Sequence, residues 1–172
     1  MAYSTSWKPT EQTLGLQPIA DTSTTAQHPL GTIIQAVDTG TNQNGSGEFI
    51  YLKGVANTIA GSWVHYNMDD GGTTLAVANG IGPVAIAMSA NVASQYGWYQ
   101  IQGKAVGKCL AAFADNGNVY LTATDGSVDD AVVAGDLVFG AKGASAIDTP
   151  ATGFAEFEIS RPFTKDGLDD AT

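Results

Sequence analysis

The residues of this chain that could do chemistry are few and far apart. Histidine occurs twice, at His28 and His65, and cysteine once, at Cys109. A zinc centre needs several convergent nitrogen or sulfur ligands, so this set points away from one. His65 alternates with Trp63 in a strand-like run and reads as a half-buried packing residue. His28 precedes Pro29 and has no partner nearby in the sequence. Cys109 sits in an apolar run, where a buried, inert thiol is the usual state, and a lone cysteine closes no internal disulfide.

Carboxylates come next. Asp69-Asp70-Gly71-Gly72 and Asp129-Asp130 offer oxygen ligands of the kind calcium takes, but neither has the spaced acidic pattern of a calcium-binding loop. Structural turns are the better reading, with a calcium site left open. Glu156 and Glu158 fall on one face of one strand, whereas paired glycosidase carboxylates flank a cleft from different elements. Gly80-Ile81-Gly82 lacks the Lys and Ser/Thr of a phosphate-cradling loop. No acid, base and nucleophile come together in the pattern, and no cofactor motif is present, so the expectation is a protein that is not an enzyme. Trp98 and Tyr99 point to opposite faces of a strand, so one could be core and the other exposed, although both could simply be packed.

The elements that carry these residues are strands. Only 14% of the 172 residues are charged, while glycine alone accounts for 21, and Thr, Val and Ala abound. That balance favours strands and turns over exposed helices. The net charge of −10 repels nucleic acid and anionic lipid alike. No apolar run approaches the roughly 18 residues of a membrane span, and no basic-then-apolar leader opens the sequence. Synthesis in a reducing cytoplasm is the simplest expectation.

Residues 1–30 hold Pro9, Pro18 and Pro29 with scattered apolar side chains and no sustained period, which reads as an extended amino-terminal arm. Tyr3, Trp7, Leu14, Leu16 and Ile19 would gain nothing in a solvated linker, so the expectation is an arm laid on a neighbour. The body, 31–163, reads as a succession of strands near 32–37, 48–53, 62–67, 73–78, 83–88, 98–106, 108–114, 119–124, 137–140 and 154–160. Residues 48–53 are apolar on both faces, as for a strand covered on both sides. In 154–160, Ala155, Phe157 and Ile159 alternate with Glu156 and Glu158. Asp115-Asn116-Gly117 predicts a hairpin between the runs on either side of it. One short helix is a candidate at 89–96. The acidic tail, 164–172, is expected to be flexible and solvated. Turn signals every 8–12 residues or so suit a sandwich or barrel. The expected fold is therefore all-β: a single β-sandwich or barrel-like (tulip-like) domain behind an extended arm.

Five segments, LGTIIQAVD (30–38), GEFIYLKGVA (47–56), GPVAIAMSANVASQYGWYQIQGKAV (82–106), DNGNVYLTATDGSVDDAVVAGDLV (115–138) and GFAEFEISRPF (153–163), resemble bacteriophage head proteins of the decoration or cement type. The likeness lies in strand-and-turn patterns and brings no catalytic residues with it. It implies a virion structural protein on the outer surface of a capsid, forming homotrimers and bridging subunits of the major capsid protein. An acidic body suits the outside of a head packed with DNA. The arm residues Tyr3, Trp7, Leu14, Leu16 and Ile19, together with Trp98, are the expected interface. Alternatives are another virion part, such as a tail or fibre-base protein, or a carbohydrate-binding module using Trp63, Trp98 or Tyr99.

Overall fold

The computed structural model describes residues 6–10, 15–40 and 44–165. The described residues form twelve strands and no helix. They are β1 (Trp7–Pro9), β2 (Thr22–Ser23), β3 (Ile33–Asp38), β4 (Ser46–Lys53), β5 (Trp63–Tyr66) and β6 (Thr73–Leu75), then β7 (Gly82–Ala87), β8 (Tyr96–Lys108), β9 (Asn118–Leu121), β10 (Val128–Asp129), β11 (Leu137–Gly143) and β12 (Phe154–Thr164). The all-β class is as the composition predicts.

All strand pairings are antiparallel, and the path through the sheet runs β1-β3-β4-β8-β7-β12-β11-β9-β10. The longest strand, β8, organises the rest. Its residues 96–102 pair with β4, and its residues 102–108 pair with β12 from Ser160 back to Phe154. Beyond Ser160, β12 leaves β8 and continues along β7, where Phe163 faces Pro83. The other end of β7 pairs back on β8, Ile86 against Gln100. The three strands thus pair mutually around a common junction. At this junction β8 carries Gly103, whose φ of +103° L side chains rarely adopt; a Cβ would also meet the carbonyl of Ser46 at 2.5 Å.

Burial follows the pleat. On β4, Ile50 and Leu52 enter one apolar cluster with Val64, Tyr99 and Ile101, while Phe49 and Tyr51 enter another with Trp98. This is the double-sided strand expected from its composition. The largest cluster gathers Trp63, Ile86, Phe113, Leu121, Val138 and Phe157 from elements spread along the body. Along β12, Ala155, Phe157 and Ile159 are buried and Glu158 is exposed, as the alternation predicts.

Several local expectations are corrected. Residues 89–96 form no helix. Asn91 there is fully buried, and its amide donates to the Tyr99 hydroxyl at 2.9 Å and more weakly to the Leu52 carbonyl. Such side-chain bonding competes with helical geometry. No second strand follows β8 at 108–114: Cys109 makes one isolated bridge to Val128, Ala112 adopts φ +74°, and Phe113 turns into the core. The turn at Asp115-Asn116-Gly117 exists, but β9 pairs with β10 and β11, so no hairpin is formed with β8. The tail does not begin at Thr164, which is completely buried as the last residue of β12. Residues 166–172 lie outside the described residues.

Candidate interaction face

Of the residues expected to grip a neighbour, those the structure describes pack on the chain's own core. Trp7 sits edge-on to Phe49 with ring centroids 4.9 Å apart, and β1 pairs with β3. Ile19 is buried in the same cluster and Leu16 packs against it. Tyr3 and Leu14 lie outside the described residues. Trp98 is fully buried, edge-on to Tyr51 and beside His28. For Trp7, Leu16 and Ile19 the expected grip on a neighbour is therefore corrected: apolar residues without a period can be cladding for their own body, and the clasp is polar. Gln17 links the segment to β4 and β8, its carbonyl accepting from Trp98 Nε1 at 2.9 Å and its Oε1 from the Tyr51 hydroxyl at 2.7 Å. His28 is not partnerless, since its Nε2 accepts from the Gln17 N–H at 3.0 Å.

The remaining sequence candidates are also structural. Trp63, Trp98 and Tyr99 have no exposed surface, so none of them provides a sugar-stacking platform. Trp98 and Tyr99 do face opposite sides, each into its own cluster. Burial drives the Tyr99 hydroxyl up to about 12, opposed by its hydrogen bonds with Thr73 and Asn91. Burial, with Asp129, Asp148 and Asp130 nearby, raises the Cys109 thiol likewise to about 12. His65 is buried on β5 and held below its ordinary value by desolvation. Its Nε2 lies 2.7 Å from the Thr164 hydroxyl, which gives its own proton to the Gly80 carbonyl.

Asp70 and Asp130 act as turn-makers. Asp70 accepts from the Gly72 N–H and Asp130 from the Ala114 N–H. Among the described residues, no group of three or more His, Cys, Asp or Glu side chains converges on a metal position.

Among the described residues, one surface with features to offer a partner is the outer face of β8, β12 and β11, which none of the sequence candidates marked. Lys104 of β8 pairs with Glu156 of β12 at 2.7 Å, and Lys142 of β11 with Glu158 at 3.4 Å. Arg161 reaches back across the junction to Glu48 on β4 at 2.7 Å. Arg161 adopts φ +45°, and Gly140, opposite it on β11, φ +74°. Here both strands depart from regular register, as a bulge does, and the face presented by alternate residues reverses. Up to Ile159 the odd-numbered residues of β12 are buried; beyond Arg161, Pro162 and Thr164 are.

The reversal turns Phe163 outward, 44% exposed, directly opposite Phe139 of β11, 38% exposed. Lys165 lies over the Phe139 ring, 5.2 Å from its centroid. Beside this pair a groove of about 610 Å3 crosses the three strands. Gly103, Gly140 and Ala141 leave it little side-chain relief, and Lys104, Lys142 and Glu158 stand among its lining residues.

A second apolar exposure lies in the loop between β10 and β11. Ala131, Val132, Val133 and Ala134 are all exposed, Val132 by 76%. Four exposed apolar residues in succession are unusual in a loop without a binding role. The sequence did carry this signal, as AVVA set between Asp130 and Asp136.

No helix among the described residues is long and apolar enough to cross a membrane. No known protein family, curated protein or solved structure matched the chain in the comparisons.

Proposed function

We propose that this chain is a virion structural protein that binds the outside of a phage capsid as a homotrimer and stabilises the shell by bridging subunits of the major capsid protein. The observation that carries the reading is the outward Phe139–Phe163 pair, held on a sheet face whose neighbouring charges are largely neutralised by one another. Exposed aromatics on a rigid sheet suit protein contact, because they bury large area at little conformational cost. The strand-and-turn likeness to decoration proteins supports the same reading, and so does the net charge of −10, which suits an outer location. The docking element of this proposal is the sheet face, and not the amino-terminal segment, whose Trp7 and Ile19 are already buried.

The test is to add the purified protein to heads assembled from the coat protein of the same genome and to image them by cryo-microscopy. Ordered density on the outer shell, with heads that resist heating better than bare ones, is the expected result. Density confined to tails, or no density at a saturating concentration, overturns the proposal.

A further inference from the structure

The basic residues of the chain are not spread evenly. Of its seven, Lys104, Lys108, Lys142, Arg161 and Lys165 lie on β8, β11 and β12 or just beyond, accompanied by Glu48, Glu156 and Glu158. The other described residues carry ten carboxylates against two lysines, Lys8 and Lys53. A strongly acidic protein thus has one mildly basic face, and that face holds the groove and the exposed Phe139–Phe163 pair.

The loop at 131–134 has the complementary character. Its exposed valines are preceded by Asp129 and Asp130, both half-buried, and by the exposed Asp125. The loop is also braced from beneath. Asp136, almost wholly buried, accepts from the Asn79 N–H at 2.6 Å, and its own N–H bonds the Val133 carbonyl at 3.1 Å. A braced loop loses little conformational freedom on docking.

We propose that the partner of the groove is a second copy of this chain, which seats the Val132–Val133 tip between Lys104 and Lys142 and sets its acidic flank against the basic face. Both halves of the contact belong to one sequence, so charge complementarity favours a copy of itself over a partner that would have to supply either half. The proposal deepens the reading of the chain as an oligomeric structural protein and rests on it. Because each copy presents a loop to one neighbour and a groove to another, closing the chain of contacts gives a ring.

The experiment uses the full-length protein alone, so failure to bind capsids and failure of this contact are read separately. Sedimentation velocity over a wide range of concentration is expected to show reversible association of the wild type. Val132→Asp with Val133→Asp should weaken it by about tenfold or more, as when an apolar anchor is replaced by charge. Lys142→Glu should weaken it comparably, and mixing Lys142→Glu copies with Asp125→Lys copies should restore it in part. Circular dichroism and thermal melting establish that each variant is folded, and Val132→Ser serves if the double aspartate variant is not. Met68→Asp, which changes an exposed apolar residue elsewhere, should associate like the wild type. A wild type that is monomeric throughout, loop variants that associate undiminished, or a Met68→Asp variant equally impaired would each overturn the proposal.

Discussion

Trp98 on β8 and Gln17 in the amino-terminal segment are joined by an indole N–H to backbone carbonyl bond of 2.9 Å, 81 residues apart in sequence. Gln17 is only 7% exposed, and its side chain bonds in both directions, from Oε1 to the Tyr51 hydroxyl and from Nε2 to the carbonyls of Asp21 and Tyr96. The described residues around Gln17 are therefore bound into the body by a polar clasp, with Trp7 and Ile19 packed in the same cluster.

Gln17→Ala should lower unfolding free energy by about 1–3 kcal/mol, because the Tyr51 hydroxyl loses its acceptor in a buried place. Trp98→Phe should fall in the same range for the indole bond and the lost ring volume. Urea denaturation followed by fluorescence measures both. Removing residues 1–30 altogether should give an insoluble or molten product, since it uncovers Phe49, Tyr51 and Trp98 at once.

Acid should loosen the fold through His65. Its folded pKa lies below the ordinary 6.5, so the folded state binds fewer protons than the unfolded one once pH falls below that value. The contribution is whole above pH 6.5 and is lost as pH falls from there toward the folded pKa. The melting temperature should be flat from pH 8 to about 7 and then decline, earlier than carboxylates near pKa 4 would cause. In His65→Gln, whose amide can still donate toward Thr164, this part of the decline should vanish.

Cys109 should resist alkylation in the native protein. Buried and surrounded by aspartates, its thiol is pushed up to about 12 from 9.0, leaving almost no thiolate at pH 8. Mass spectrometry after iodoacetamide should find the native chain unmodified and the chain in urea fully labelled. Rapid native labelling would show that this part of the core opens readily.

Gly54→Ala should be far more damaging than Gly153→Ala. A Cβ on Gly54 would overlap the backbone carbonyl of Asn91, in the loop that carries the buried amide. Gly153 has open space around it, and alanine there meets only the strain of φ +80°, about 1–2 kcal/mol. Comparing soluble yield and melting temperature of the two variants tests the ordering.

What was legible in the sequence was whatever depends on alternation within one strand. The opposite facing of Trp98 and Tyr99, the two apolar faces of β4 and the inward row of Ala155, Phe157 and Ile159 all follow from a period of two. What was hidden depends on contacts between distant segments. Nothing near Trp7 or Ile19 says that their cover is β3 and β4 of the same chain rather than another molecule. Asp115-Asn116-Gly117 marks a turn truthfully, but which strands it joins is settled by Phe113, which leaves the sheet to fill the core. The outward face at Phe139 and Phe163 was missed for a related reason: alternation cannot be carried through the irregularity at Gly140 and Arg161, where two strands change sides together.

That irregularity has a consequence for how such a surface could change over generations. Phe163 stands four residues from the buried Ile159, a separation that strict alternation would turn inward, so its exposure rests on the irregularity between them. Substitutions that restored regular pleating at unchanged length would withdraw the ring from the exterior, while loss of one residue at the irregularity would keep the parity that turns it outward. Point changes at the irregularity, rather than loss of a single codon, are the events able to switch this contact off in a lineage.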